Sequence, residues 1–135
     1  MNEIVEMLLQ KRKIRLSFAG IVKGSYEYTR YDCLMTLKRY QLLQGNRYKV
    51  CIARDIAARN ELQVRDEELV QTNLAFTQLD YEIYIEDFLQ MMDVFEAYDL
   101  VQKDENDNIS LTETGIKALN QATIRKDAEE SGDAQ

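Results

Sequence analysis

The chain contains no histidine and no proline, and it has few cysteines and glycines. Without histidine there is no Cys-His or Ser-His catalytic pair and no imidazole to bind a metal ion. The two cysteines, Cys33 and Cys51, cannot form a structural zinc site without further ligands, which the sequence does not offer. The five glycines are scattered and form no phosphate-binding loop. These absences predict a protein that is not an enzyme and that binds no cofactor and no metal.

The absence of proline leaves the backbone free to form long helices, because no residue removes a backbone donor. No apolar run approaches the ~20 residues that a membrane-spanning helix requires. The first six residues include two acids where a signal peptide would carry lysine or arginine. We therefore expect a cytoplasmic protein without membrane association, in which Cys33 and Cys51 stay reduced in the core.

What the sequence does contain is typical of one folded domain. Its 135 residues are 45% apolar and 30% charged, and a chain of this size buries about two thirds of its unfolded surface. The composition changes after Arg125, where Asp, Glu, Ser, Gly and Ala predominate. We therefore expect a single helical domain over residues 1–124 and a flexible acidic tail over residues 125–135.

The charge is divided unevenly along the chain, although its total is only −7. Residues 1–65, the front half, hold thirteen Lys or Arg and six Asp or Glu, a net charge of +7. Residues 66–135, the back half, hold four Lys or Arg and eighteen Asp or Glu, a net charge of −14. Such an asymmetry indicates a charged partner or contact between the halves. The alternative is an ordinary solvated surface with an uneven sequence distribution.

Apolar residues at helical spacing predict six helices. The predicted helices cover residues 2–12, the segment between Ser25 and Gly45, and residues 50–60, 66–76, 81–98 and 113–122. Ser25 is a good N-cap and Gly45 is typical of the residue just after a helix, so this segment is expected to be one long helix. Residues 81–98 form the strongest amphipathic stretch. Residues 14–24 fit either a short strand or a helix.

A short β-hairpin is predicted near the end of the chain. Residues 99–103 and 109–111 have the pattern of two strands, and the polar run 104–108 joins them. Thr112 can cap the helix that follows. The polar run matches the first ligand positions of a calcium loop, but Ile109 stands where such a loop needs glycine. We therefore interpret the run as a solvated hairpin tip.

The segments Phe95–Lys103 and Ile109–Gly115 resemble the back half of a winged-helix domain. Many small bacterial winged-helix regulators have a helix that ends before Leu-Val, a charged wing, and then Leu-Thr-x-x-Gly at the start of a helix. The resemblance covers residues 95–120, under a quarter of the chain. It implies a winged-helix-like α+β domain, mainly α with a small β-hairpin. It also implies a dimeric DNA-binding protein of transcription regulation.

The helix that would read the major groove in such a domain is the one that ends at Tyr98. Its expected first turns carry four acids, Asp80, Glu82, Glu86 and Asp87. Carboxylates at this place would meet the phosphates of DNA at close range. The other candidate helix for DNA recognition, residues 66–76, also opens on acids. Both helices therefore argue against sequence-specific DNA binding.

The argument for DNA binding comes from the front half. Lys11, Arg12, Lys13 and Arg15 form a compact basic cluster, and further cations alternate with tyrosines downstream. Basic groups bind phosphates, and aromatic rings can stack on bases. The first hypothesis is therefore a small non-enzymatic DNA-binding regulator. Its predicted phosphate contacts are Lys11, Arg12, Lys13, Arg15, Lys38, Arg39, Arg47 and Lys49.

The second hypothesis is a protein–protein interaction module, either an adaptor or an acidic inhibitor that occupies a basic surface. An acidic surface steers association with basic partners. The predicted contacts are Glu82, Glu86 and Asp87 in the back half. A third arrangement is a homodimer in which the basic half of one subunit meets the acidic half of the other.

Overall fold

The computed structural model describes residues 1–18, 21–59, 81–85 and 88–133. Within these residues the fold is mainly helical, with two small antiparallel sheets, so the expected α+β class is confirmed. The elements are α1 (Asn2–Leu9), β1 (Lys11–Phe18), β2 (Ile21–Thr29), α2 (Arg30–Tyr40), β3 (Leu43–Gln44), α3 (Gly45–Arg59), β4 (Tyr81–Ile85), α4 (Phe88–Ala97), β5 (Val101–Lys103), β6 (Asn108–Leu111) and α5 (Glu113–Asp133). None of the helices among the described residues is long and apolar enough to cross a bilayer.

The first sheet has the strand order β2-β1-β4 and is longer than the sequence pattern predicted. The helix expected over residues 2–12 ends at Leu9, and Gln10 has extended backbone angles before β1 begins at Lys11. β1 pairs with β2 from Lys11 opposite Thr29 onward, with one register shift. The basic cluster thus lies on a strand rather than at the end of a helix. Hydrogen bonds to the neighbouring strands stabilise the strand conformation here. The spacing of apolar residues along the chain carries no information about these distant partners.

The long helix expected between Ser25 and Gly45 is shorter at both ends. Ser25 belongs to β2, and Thr29 is the N-cap of α2 instead. Thr29 and Asp32 form a capping box, in which each side chain accepts a hydrogen bond from the backbone of the other residue. Gln41, with a φ of 67°, ends the helix, and Gly45 opens α3 rather than closing α2.

One hydrophobic core joins the described helices to both sheets. Its largest fully buried side chains include Tyr28, Tyr48 and Phe95. The Tyr48 hydroxyl donates to the Cys33 carbonyl over 2.7 Å, so this polar atom is satisfied inside the core. Cys33 and Cys51 are free thiols, as expected, and Cys33 is fully buried.

The strongest amphipathic stretch, residues 81–98, is not one helix. Tyr81–Ile85 forms β4, which pairs with β1, and α4 begins only at Phe88. Alternation of apolar residues over 81–85 fits a strand as well as a helix, and pairing with β1 decides between them. Glu82 lies opposite Ser17 in this pairing. The predicted site residues Glu86 and Asp87 lie outside the described residues, as does the predicted helix 66–76.

The predicted hairpin is confirmed as β5 and β6. A third strand, β3, joins it and gives the order β3-β6-β5, with Leu43 opposite Ile109. Val101 and Ile109 are buried and anchor the hairpin to the core. The sheet therefore links the start of α3 to the hairpin that follows α4.

The last helix begins where the sequence predicted and ends later. Thr112 caps α5 by accepting from the backbone of Gly115 over 2.9 Å. α5 then continues to Asp133, beyond the expected end near Ala122, so most of the segment expected to form a flexible tail is helical. Its contacts explain part of this length, because the hydroxyl oxygens of Tyr31 and Thr123 are 2.7 Å apart. Arg125 also approaches Glu6 of α1 at 3.7 Å.

Candidate functional site

The basic cluster on β1 is partly neutralised by an acid of β2. Lys11 and Lys13 are exposed, and the Lys11 Nζ lies 3.9 Å from the Glu27 Oε2. Glu27 is also the register partner of Lys13. Arg12 is half-buried beside Tyr28. Arg15 lies opposite Ser25 and Tyr84 in the register of the sheet.

Two further cations of the front half bind acids between α2 and α3. The Arg39 Nη1 lies 2.6 Å from the Asp55 Oδ1, and the Asp55 Oδ2 accepts from Thr36 over 2.6 Å. The Arg59 Nη1 lies 2.9 Å from the Asp32 Oδ2. The two arginines and the two carboxylates line a cavity of about 180 Å³. Because both carboxylates are mostly buried, these ion pairs hold the two helices together and leave little charge for a partner.

The remaining predicted phosphate contacts lie near the ends of helices. Lys38 is exposed in the last turn of α2, and Arg47 is exposed in the first turn of α3. The Lys49 Nζ lies 4.8 Å from the centre of the Phe88 ring, and that ring also packs edge-on against Tyr48. Lys49 thus helps to fix α4 to α3. The eight predicted cations are therefore distributed over β1, the end of α2 and the start of α3.

A different stretch of the chain exposes unbalanced charge. Between Phe88 and Lys117 the described chain exposes seven carboxylates and has only two lysines, Lys103 and Lys117. Lys103 is already used, because its Nζ lies 3.1 Å from the Glu96 Oε1. We call these seven residues the acidic face: Asp93, Glu96, Asp99, Asp104, Glu105, Asp107 and Glu113.

The local fold explains why these acids are exposed. α4 buries Met91, Met92 and Phe95, so its polar residues point away from the core. Its first turn contains no acid, in contrast to the helix start expected from the sequence. Asp93 lies one turn further along. Leu89 stands beside these acids and is 77% exposed.

The hairpin tip is built by two of its own acids. Asp104 accepts from the backbone of Asn106 over 2.8 Å and of Asn108 over 3.0 Å. The hydrogen bond from the Asn108 side chain, followed by these backbone hydrogen bonds, lowers the pKa of Asp104. Asp107 has a φ of 61°, a conformation that Asp tolerates better than most residues. Glu105, between them, makes no ion pair with another described residue and is available to a partner.

The sequence predicted partner-binding acids at Glu82, Glu86 and Asp87; Glu86 and Asp87 lie outside the described residues, and the acids that the structure shows to be exposed are others. Asp93, Glu105 and Glu113 were not among the predicted site residues. Their signal was present in the polar hairpin tip and in the non-apolar positions of α4, but it indicated only a solvated surface. Among the residues that the structure describes, no group of three acids, cysteines or histidines could hold a metal ion.

Comparison with known protein families, with curated protein sequences and with solved structures finds no match to this chain. The resemblance of residues 95–120 to winged-helix regulators therefore stays a prediction.

Proposed function

We propose that this protein is a winged-helix-like protein-interaction module whose acidic face binds a basic protein surface. The observation that carries the proposal is the exposure of seven carboxylates between Phe88 and Glu113, where the only cation, Lys103, is already paired with Glu96. A basic partner would be attracted to this face at long range. Contact would then exchange solvated carboxylates for cross-interface ion pairs.

The arrangement of elements supports the winged-helix-like part of the proposal. Helices α2, α3 and α4 precede the hairpin β5–β6, and α5 follows it. Strand β3, between α2 and α3, joins the hairpin as a third strand. In such an architecture α4 and the hairpin tip would be the elements that face a ligand.

The charges of these two elements argue against DNA as that ligand. Asp93 and Glu96 are exposed on α4, and Asp104, Glu105 and Asp107 are exposed on the hairpin. DNA carries one negative charge per ~1.7 Å of axis, so docking α4 and the hairpin on a duplex would bring like charges together. A cationic protein surface fits the same residues.

Leu89 supports a protein partner in a second way. It is a large apolar side chain, 77% exposed, in the first turn of α4 and one helical turn before Asp93. An exposed apolar side chain beside a charged one is typical of protein interfaces, where a few residues supply most of the binding energy.

DNA binding through the front half is the second candidate. The observation that favours it is the exposure of Lys13, Lys38 and Arg47, for which the structure shows no direct carboxylate contact among the described residues. This candidate predicts duplex binding that weakens steeply as the salt concentration rises.

A fluorescence anisotropy experiment separates the two candidates. The probes are a labelled lysine-rich peptide and a labelled DNA duplex of random sequence, both at ~50 mM salt. We expect the peptide to bind and the duplex not to bind. The double variant Asp93→Lys with Glu105→Lys should weaken peptide binding about tenfold.

The matched control is Glu27→Lys with Glu130→Lys, which changes the net charge by the same amount at exposed positions away from the acidic face. It should retain peptide affinity within about threefold, since only the distant field changes. Equal losses in both double variants would show that total charge, and not this face, attracts the peptide. Duplex binding that Lys13→Glu or Arg47→Glu removes would establish the second candidate instead.

A further inference from the structure

Helix α5 leaves one side uncovered along most of its length. Its inner side buries Ala118, Leu119 and Ala122 in the core. On the outer side two isoleucines are exposed, Ile116 at 44% and Ile124 at 64%. Isolated exposed apolar residues are ordinary on protein surfaces. These two, however, belong to a regular row.

The row follows the four-residue spacing of a helix ridge. Ile116, Asn120, Ile124 and Ala128 are all exposed and occur at intervals of four residues. Residues at this spacing form the ridges that pack into the grooves of a neighbouring helix. We call these four residues the α5 ridge. It extends over three turns, about 18 Å at 1.5 Å per residue.

The ridge is nearly symmetric about its own centre at Ala122. Ile116 and Ala128 are equally distant from this residue along the helix, and so are Asn120 and Ile124. Two copies of α5 that pack antiparallel on the outer side, about a two-fold axis at the level of Ala122 along the helix, would therefore place Ile116 opposite Ala128. The same axis places Asn120 opposite Ile124.

The charges beside the ridge agree with the same axis. Lys117 and Asp127 are exposed and are also equally distant from Ala122. In the antiparallel pair, Lys117 of each copy would face Asp127 of the other, and this contact occurs twice. A parallel pair would instead place each of these residues against its own charge, which is unfavourable.

We infer that α5 is a dimer interface, in which two copies of this chain pack antiparallel through the α5 ridge. The inference stands apart from the acidic face, since no residue of the α5 ridge belongs to that face and the ridge makes a different kind of contact. The interface is narrow, so the dimer forms reversibly and depends on protein concentration.

Sedimentation velocity over about a hundred-fold range of concentration tests the dimer and its register. The wild type should dimerise. Lys117→Glu and Asp127→Lys should each weaken dimerisation about tenfold, because each introduces two like-charge contacts. The variant with both substitutions should regain most of the lost affinity. A wild type that remains monomeric throughout, or a double variant no tighter than the singles, overturns the inference.

Ile124→Lys gives an independent check on the ridge itself. Because Ile124 is mostly exposed, the variant should keep the thermal unfolding midpoint of the dilute wild type and lose the dimer. The control Lys13→Glu changes an exposed lysine of β1 and should dimerise like the wild type. Undiminished dimerisation by Ile124→Lys would rule out this interface, whatever the oligomeric state of the wild type.

Discussion

The front and back halves of this protein use charge differently. In the front half, Arg39 and Arg59 hold the mostly buried carboxylates of Asp55 and Asp32, so positive charge is spent on packing α2 against α3. In the back half, the acidic face contains seven exposed carboxylates and a single paired lysine. A count of charges along the sequence does not distinguish how the two halves use their charged side chains. The structure shows mostly buried ion pairs between helices in the first case and mostly solvated carboxylates in the second.

The largest effect we predict is in the back half and involves no charge. A Cβ atom added at Gly115 would overlap the Leu100 carbonyl oxygen, which is backbone and cannot move aside. Gly115→Ala should therefore lower the free energy of unfolding by about 3 kcal/mol or more. Urea denaturation measures this, with Gln121→Ala at an exposed position of α5 as the control. A loss below about 1 kcal/mol would show that close packing does not hold α5 to the hairpin sheet.

The second prediction removes a charge from the front half. Asp55→Ala leaves Thr36 and Arg39 without their shared acceptor and should cost about 2–3 kcal/mol. The matched variant Glu105→Ala, in the acidic face, should cost less than about 0.5 kcal/mol. Both values come from urea denaturation at neutral pH. If the two variants lose similar amounts of unfolding free energy, the proposed difference in how the halves use charge is wrong.

The third prediction is that high pH destabilises the folded protein through groups of the front half, and low pH through a group of the back half. Burial raises the pKa values of the Cys33 thiol and the Tyr48 phenol in the folded chain above their ordinary values of 9.0 and 10.0. The unfolded chain therefore loses these protons first. Their contribution to stability is complete below about pH 9 and falls as the pH rises above it.

At the acid end the sign is reversed and the back half responds. The pKa of Asp104 is lowered in the folded chain, so its contribution is present above its ordinary value of 3.8 and is lost as the pH falls below it. Thermal unfolding midpoints should decrease at both ends of the pH range. Tyr48→Phe should reduce only the alkaline decrease, and Asp104→Asn only the acid decrease. An effect of Tyr48→Phe at acid pH, or of Asp104→Asn at alkaline pH, would contradict the assignment of each pH dependence to its residue.

The smallest effect concerns the one paired lysine of the acidic face. Lys103→Gln removes an ion pair that is largely solvated, so the free energy of unfolding should change by less than about 0.5 kcal/mol. Affinity for the lysine-rich peptide should rise about two- to threefold, because Glu96 is released. Anisotropy titration measures this. A decrease in affinity would mean that Lys103 itself contacts the partner.

Local patterns were sufficient for the hairpin and its cap. Residues 99–103 and 109–111 alternate around a polar turn, and Thr112 is a favourable N-cap, so neighbouring residues determine the structure there. The α+β class followed from this hairpin together with the helical periodicity elsewhere.

Local patterns failed where a distant strand decides the conformation. Residues 81–85 satisfy both helical and strand periodicity, and only the pairing with β1 distinguishes them. Ser25 is a good N-cap in isolation, but the sheet includes it and leaves that role to Thr29. The ion pair between Arg39 and Asp55 joins residues of two helices, so no spacing in the sequence reveals it. The exposure of Asp93 and Glu105 likewise depends on which side of α4 and of the hairpin faces the core.

The contact between Gly45 and Asp107 has an evolutionary consequence. A Cβ atom at position 45 would lie 3.1 Å from the Asp107 Oδ2, tighter than ordinary packing allows. Position 107 also has the positive φ that favours Gly, Asn or Asp. A larger residue at position 45 therefore requires the exposed Asp107 side chain to move aside by a few tenths of an ångström, and a smaller residue at position 107 removes that requirement. We expect larger residues at 45 to occur preferentially with smaller ones at 107 in related sequences, and such paired changes would report the contact between the hairpin and α3 from sequences alone.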